Sequence, residues 1–156
     1  MYRHILVSTD GSELADKALE HGIGLAEALN ARVTILTVTE DWHSATEGWG
    51  PFELAFADEQ SGEQTAEEAY EQAASEKAEG ILAPAVAAAQ KKGVEAMPCH
   101  ERGALPALAI LRTADAASCD LIVMGSHGRT GLHRFFLGSQ ATEVMTKATV
   151  PVLIVR

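Results

Sequence analysis

An alternation constrains this chain more than any other feature. Near-continuous apolar runs recur at His4–Thr9, Arg32–Val38, Val94–Cys99, Asp120–Met124 and Pro151–Val155, and a helical pattern fills each gap. A run that is apolar at consecutive positions has no face suited to water, so it belongs in a sheet covered on both sides. Strands alternating with helices build such a sheet from parallel strands joined by right-handed crossovers. The expected fold class is therefore α/β, a three-layer α/β/α open sandwich around a five-stranded parallel sheet. The expected element order is β-α-β-α-β-α-β-α-β, in one domain over residues 1–156.

Local signals set the boundaries. Ser12 is the predicted N-cap of the first helix, with Glu13 and Asp16 in its first turn. Ala15, Ala18, Gly22, Leu25 and Leu29 fall on one face of that helix, and Asn30 ends it. From Glu63 to Lys92 the chain is rich in Ala and Glu, and Gly80 and Pro84 predict a kink or a break into two helices. Glu67, Glu68, Glu71, Glu76 and Glu79 read as its solvated acidic face. Gly93 is a stop signal, and Pro98 points to a short strand or an edge position. Gly103 and Pro106 open the next helix, with Leu108, Leu111 and Ala114 expected to face inward. The last helix is expected from Gln140, marked by Ala141, Val144, Met145 and Ala148. Thr39 to about Gly62 is the least regular segment, a loop holding Trp42, Trp49, Pro51, Phe52 and Phe56. Its aromatics either pack back onto the domain, cover a ligand, or meet a partner chain.

Function is most legible in Gly125–Ser139, GSHGRTGLHRFFLGS. A buried strand runs into Gly125, Gly128 closes a tight turn, and Gly138-Ser139 precede a helix. Glycines let backbone N–H groups approach a ligand. A helix start adds unpaired N–H groups and the positive end of the dipole. Together these parts make an anion cradle suited to phosphate. The block is not a Walker A loop, because Gln140 follows Gly138-Ser139 and no Lys is near. Nor does GxGxxG follow the first strand. Asp10 ends the first strand, where it either bonds loop amides or reaches a ligand. Ligands of open α/β sheets bind at strand carboxyl ends where the winding reverses, so neighbouring first and fourth strands would bring Asp10 and Gly125 together.

Charge and composition narrow the classes. A net charge of −10 argues against a general nucleic-acid surface. No apolar run is long enough to span a membrane, and the N-terminus has no secretory layout. Cys99 and Cys119 have neither metal spacing nor a disulfide framework, and read as small core residues in a reducing cytoplasm.

From end to end the chain resembles the universal stress protein family. The resemblance lies in Ile5–Ser12, in Gly103–Pro106 with Ile110-Leu111, in Asp120–Arg129 and in Pro151–Val155. Gly125, Gly128, Gly138 and Ser139 fit the G-x-x-G-x9-G-S/T pattern of the single-domain ATP-binding members. The resemblance implies an adenine nucleotide α-hydrolase-like sheet of order 3-2-1-4-5. It implies ATP as ligand, with ADP or AMP as alternatives and Mg²⁺ as a companion left open. Ser8, Thr9 and Asp10 would then stand beside the adenosine, Asp10 at the ribose or adenine edge. Val38 would hold adenine, and Met124 and Gly125 would flank the ribose. Ser126 and His127 belong to the same loop. Gly128, Arg129, Gly138, Ser139, Gln140 and Ala141 would surround the phosphates, largely through backbone amides. Ser8 stands where some members carry Pro, and Ala141 where some carry a hydroxyl, which removes one phosphate contact. The resemblance says nothing of the 39–62 loop. It does imply a homodimer through the last strand, Pro151–Val155, and an apolar strand at a sheet edge agrees with that.

No catalytic set stands out. His127 and Arg129 lie beside the expected phosphates, while His21, His43, His100 and His133 have no ligand spacing. The leading expectation is a cytoplasmic binding module whose nucleotide occupancy changes association with an unidentified protein partner. The alternative is a slow ATPase, or a protein that phosphorylates itself on Ser139, Thr130 or Ser126.

Overall fold

The computed structural model describes residues 1–103, 105–127 and 137–156. Its elements are β1 (His4–Ser8), α1 (Glu13–Leu29), β2 (Arg32–Thr39), α2 (Trp42–Ala45), α3 (Pro51–Gln60), α4 (Ala66–Lys91), β3 (Ala96–Arg102), α5 (Pro106–Ala116), β4 (Leu121–Gly125), α6 (Ser139–Lys147) and β5 (Val152–Val155). The five strands pair in parallel in the order β3-β2-β1-β4-β5. β1 sits at the centre, with Val7 opposite Ile35 on one side and Val123 on the other. The fold class expected from the alternation is the one observed.

Successive strand residues point to opposite faces, which divides the core in two. Ile5, Val7, Val33, Ile35, Leu121 and Val123 pack against α1 and α4, through Ala18, Ile23, Leu82, Ala85 and Ala89. Leu6, Leu36, Ile122 and Met124 pack against α5 and α6, through Ala107, Ile110, Ala141 and Val144. Gly22 lets α1 approach β1 closely, since an added Cβ there would fall within the Val7 side chain.

The caps follow the sequence. The Ser12 hydroxyl accepts from the Ala15 amide, and Asn30 closes α1 in the left-handed conformation at φ 52°. Thr65 and Glu68 form a reciprocal capping box at the start of α4.

Several expectations need correction. Residues 39–62 are not an irregular loop but carry α2 and α3. Of the two expectations for Gly80 and Pro84, the break into two helices is absent, because α4 is one helix from Ala66 to Lys91. Gly80 stands four residues before Pro84, where a permissive backbone accommodates the ring. Ala74, Ala78, Leu82, Ala85 and Ala89 are buried on both sides of Pro84 and hold the helix against the sheet. Glu71 is not on a solvated face, because it pairs with Arg102 and accepts from the Trp42 amide. β3 starts at Ala96 and runs to Arg102, at the sheet edge as Pro98 suggested. Leu108 is exposed, and Ala107, Ile110, Thr113 and Ala114 make the inner face of α5. Met145 is exposed as well, and α6 begins at Ser139 rather than Gln140.

Candidate functional site

The sheet winds one way from β1 to β2 and β3, and the other way from β4 to β5. The crevice between the carboxyl ends of β1 and β4 is therefore the switch point of the fold. A cavity of about 240 Å³ opens there, against the first turns of α5 and α6. Its wall holds Ser8, Thr9 and Asp10 from β1 and the following turn, Val38 from β2, Met124, Gly125, Ser126 and His127 from β4 and its turn, and Gly138, Ser139, Gln140 and Ala141 at the start of α6. Each of these was a sequence candidate. Gly128 and Arg129 lie outside the described residues.

Backbone hydrogen bonds fix the rim. The Gly138 amide donates to the Ser126 carbonyl at 2.8 Å, so the chain returning to α6 is clamped to the turn after β4. The Ser126 amide in turn donates to the Val155 carbonyl at 2.8 Å, tying that turn to β5. Gly125 and Gly138 do not carry positive φ. Space is the reason for glycine there. A Cβ on Gly138 would stand 3.0 Å from the Ser126 carbonyl oxygen, and one on Gly125 would stand 3.2 Å from Leu14 Cγ.

On the other side, the Thr9 amide donates to the Leu36 carbonyl at 2.8 Å, and the Ser12 amide to Asp10 Oδ1 at 3.0 Å. Asp10 thus does bond a loop amide while also lining the cavity.

Gly138 caps α6 with no side-chain hydrogen bond, which leaves the first-turn amides of Ser139, Gln140 and Ala141 at the cavity wall. Such amides, with the positive helix end behind them, suit an anion. The Gln140 side chain is used elsewhere: its Oε1 accepts from the Ala107 amide of α5 at 2.8 Å. Ser126 is buried and shares a 2.9 Å hydrogen bond with His127 Nδ1. His127 Nε2 is buried with no hydrogen-bond partner among the described residues.

The remaining lining is apolar. Leu36, Pro106, Ile110 and Ala15 form it, and sequence reasoning passed over all four. Leu36 had a signal, since it stands two residues before Val38 on the same strand face. Pro106 had a weaker one, as the first residue of a helix whose start faces the same strand ends. Among the described residues the cavity wall holds no lysine or arginine, and no group of three His, Cys, Asp or Glu could hold a metal ion. No helix among them is long and apolar enough to cross a membrane.

A parallel open sandwich of this strand order, with a cavity at its switch point, is the fold of the universal stress proteins. A family model for these proteins matches residues 1–156, and the chain belongs to the universal stress protein family. Universal stress protein YxiE of Bacillus subtilis is 34% identical, with 100% of each chain covered. The solved structure of MJ0577, from Methanocaldococcus jannaschii, superposes with a TM-score of 0.75 at 28% identity, over 99% of this chain and 96% of that one. A universal stress protein solved in complex with cAMP superposes with a TM-score of 0.66 at 24% identity, over 99% of this chain and 97% of that one. At that identity the likeness shows the fold alone.

Proposed function

We propose that this chain binds an adenine nucleotide in the switch-point cavity, ATP first with ADP or AMP as alternatives, and that occupancy modulates its association with a protein partner. One observation carries the reading: the Gly138–Ser126 hydrogen bond brings uncapped α6 amides to the same cavity as an apolar slot. Leu36, Val38, Ile110 and Met124 suit a planar base, with Val38 offering backbone polar atoms to its edge. Asp10 serves the ribose or the base edge, and Gly125 leaves room beside the ribose. The amides of Ser139, Gln140 and Ala141 meet the phosphates, helped by the Ser139 hydroxyl. Gly128 and Arg129 keep a phosphate role on sequence grounds alone. Because Gln140 caps α5, its share is the backbone amide.

The donors at the phosphate end are neutral dipoles and the described wall has no carboxylate there. Mg²⁺, if it accompanies ATP, would be held through the phosphates and water, with the Ser139 hydroxyl at the start of α6 as a candidate side-chain oxygen.

The Ser126–Val155 hydrogen bond supports the coupling to association, because it joins the phosphate turn to β5. β5 is an outer strand, and we propose it as the homodimer interface.

The test is identification of the nucleotide retained through purification, followed by calorimetric titration with ATP, ADP, AMP and adenosine. Weaker binding of adenosine than of ATP is expected. Equal binding of all four would remove the phosphate role of the α6 amides.

A second reading, slow hydrolysis or self-phosphorylation, is favoured only by the exposed Ser139 at the cavity. The buried, His127-bonded Ser126 is a poor acceptor, and Thr130 lies outside the described residues. γ-Labelled ATP followed by mass spectrometry separates the readings: an unmodified chain with intact nucleotide leaves binding alone.

A further inference from the structure

The net charge of −10 is not spread along the chain. Between Glu40 and Glu76 lie eleven of its 22 acidic residues and not one Lys or Arg. The rest of the chain carries eleven acidic residues against twelve basic ones. The same stretch holds α2, α3 and the first turns of α4, and it presents large apolar side chains to solvent.

α3 buries none of its residues. Phe52 and Phe56 are 79% and 55% exposed, and their rings stack at 6.4 Å with planes 13° apart. Trp49 and Leu54 are exposed beside them in sequence. Glu53, Asp58 and Glu59 on α3 itself are also exposed. The platform underneath is fixed. Trp42 meets Trp49 and Tyr70 edge to face at 6.0 and 5.7 Å. Its amide donates to Glu71 Oε1, and the Ala66 amide donates to Asp58 Oδ1 at 2.8 Å. A pair of aromatics one turn apart on an anchored helix, ringed by carboxylates, is an apolar surface with one sign of charge at its border.

We propose that residues 40–76 form a docking surface for a cationic amphipathic helix of another protein. The apolar face of such a helix covers Phe52 and Phe56, and its Lys or Arg border meets the carboxylates, which supplies both burial and charge complementarity. A nucleic acid or an anionic membrane brings like charge to this border. A second copy of the chain, docking by the same surface, does too. The proposal goes beyond nucleotide binding and does not rest on it.

The test uses the full chain and a dye-labelled synthetic amphipathic helix with Leu on one face and Lys on the other, followed by fluorescence anisotropy. Emission from Trp42 and Trp49, the only tryptophans, reports independently from the surface. Binding that weakens with salt is expected. It should fall about tenfold or more in a Phe52→Ser, Phe56→Ser double variant, the loss of two apolar anchors. A Glu53→Lys, Glu59→Lys variant should weaken it as well. All four positions are exposed, so unchanged far-ultraviolet circular dichroism is expected of both variants. Equal binding of a scrambled peptide of the same composition overturns the proposal, since charge alone then suffices. So does equal binding of a peptide with Glu in place of every Lys, unaltered binding by either variant, or sedimentation showing that these phenylalanines hold two copies together.

Discussion

The amide of Gly138 donates to the carbonyl of Ser126 at 2.8 Å, and this bond turns two segments of chain into one rim. A side chain at position 138 would press on the atoms that make it, with Cβ 3.0 Å from the Ser126 oxygen and 3.5 Å from His127 Cα. Gly138→Val is expected to weaken ATP binding by about tenfold or more, at a folding cost of about 1–3 kcal/mol. Calorimetry with ATP and a parallel thermal melt check both parts. Undiminished affinity in a folded variant would count against the α6 amides as the phosphate site.

Gln140 offers a contrast, because its side chain works on structure. Its Oε1 satisfies the Ala107 amide in the first turn of α5. Gln140→Leu should cost about 0.5–2 kcal/mol, the range of a lost helix cap. Urea unfolding measures it. Nucleotide affinity should change far less than in Gly138→Val, since the backbone amide at 140 is retained.

Gly22 tests packing away from the cavity. A methyl there collides with Val7, a fully buried central-strand residue. Gly22→Ala should therefore destabilise, by about 1–3 kcal/mol, although Ala is the better helix former by about 1 kcal/mol. An increase in melting temperature would mean that α1 shifts off the sheet at little cost.

His4 makes stability depend on pH. It is buried, its Nε2 shares a 2.8 Å hydrogen bond with Thr34 Oγ1, and burial, then the Arg32 charge, hold its pKa below the ordinary 6.5. Asp120 and Glu95 pull the other way without reversing the shift. A lowered folded pKa means that the unfolded chain takes up the proton first. The His4 contribution is then fully present above pH 6.5 and is lost as pH falls from 6.5 through the lowered value. His4→Gln should flatten the stability profile in that window, as read from chemical unfolding at a series of pH values. An unchanged slope would assign the acid sensitivity to other groups.

The proposed dimer can be tested at one backbone atom. The Pro151 and Val155 carbonyls bond to β4, so by strand alternation the polar groups of Val152 and Ile154 point out of the sheet. Ile154→Pro removes an outward donor and leaves the β4 ladder in place. A wild-type dimer that becomes monomeric in sedimentation, with the fold retained, is the expected result. A variant that stays dimeric would move the interface elsewhere.

The sequence was legible where short-range chemistry decides. Apolar runs, Ser12, Asn30 and Gly93 marked strands and caps because their effects reach only a few residues. The glycine block pointed to the cavity for the same reason, since a strand end, a turn and a helix start lie within it. Residues 39–62 were misread because exposed aromatics and acids carry no helical stripe, and α2 and α3 are held largely by contacts made near their ends. Pro84 does not divide α4, since the burial of Ala74–Ala89 against the sheet outweighs one lost hydrogen bond.

Pattern along the chain thus settled the α/β class, the alternation of parallel strands with helices and the glycine-bearing turn, while the strand order was implied only by the family resemblance. Only the tertiary structure decided that Leu36, Pro106 and Ile110 wall the cavity, that Gln140 caps a different helix, and that Gly138 is glycine for room rather than for backbone freedom. Those facts join residues tens of positions apart, and such proximity exists only once parallel crossovers have brought distant strand ends to one side of the sheet.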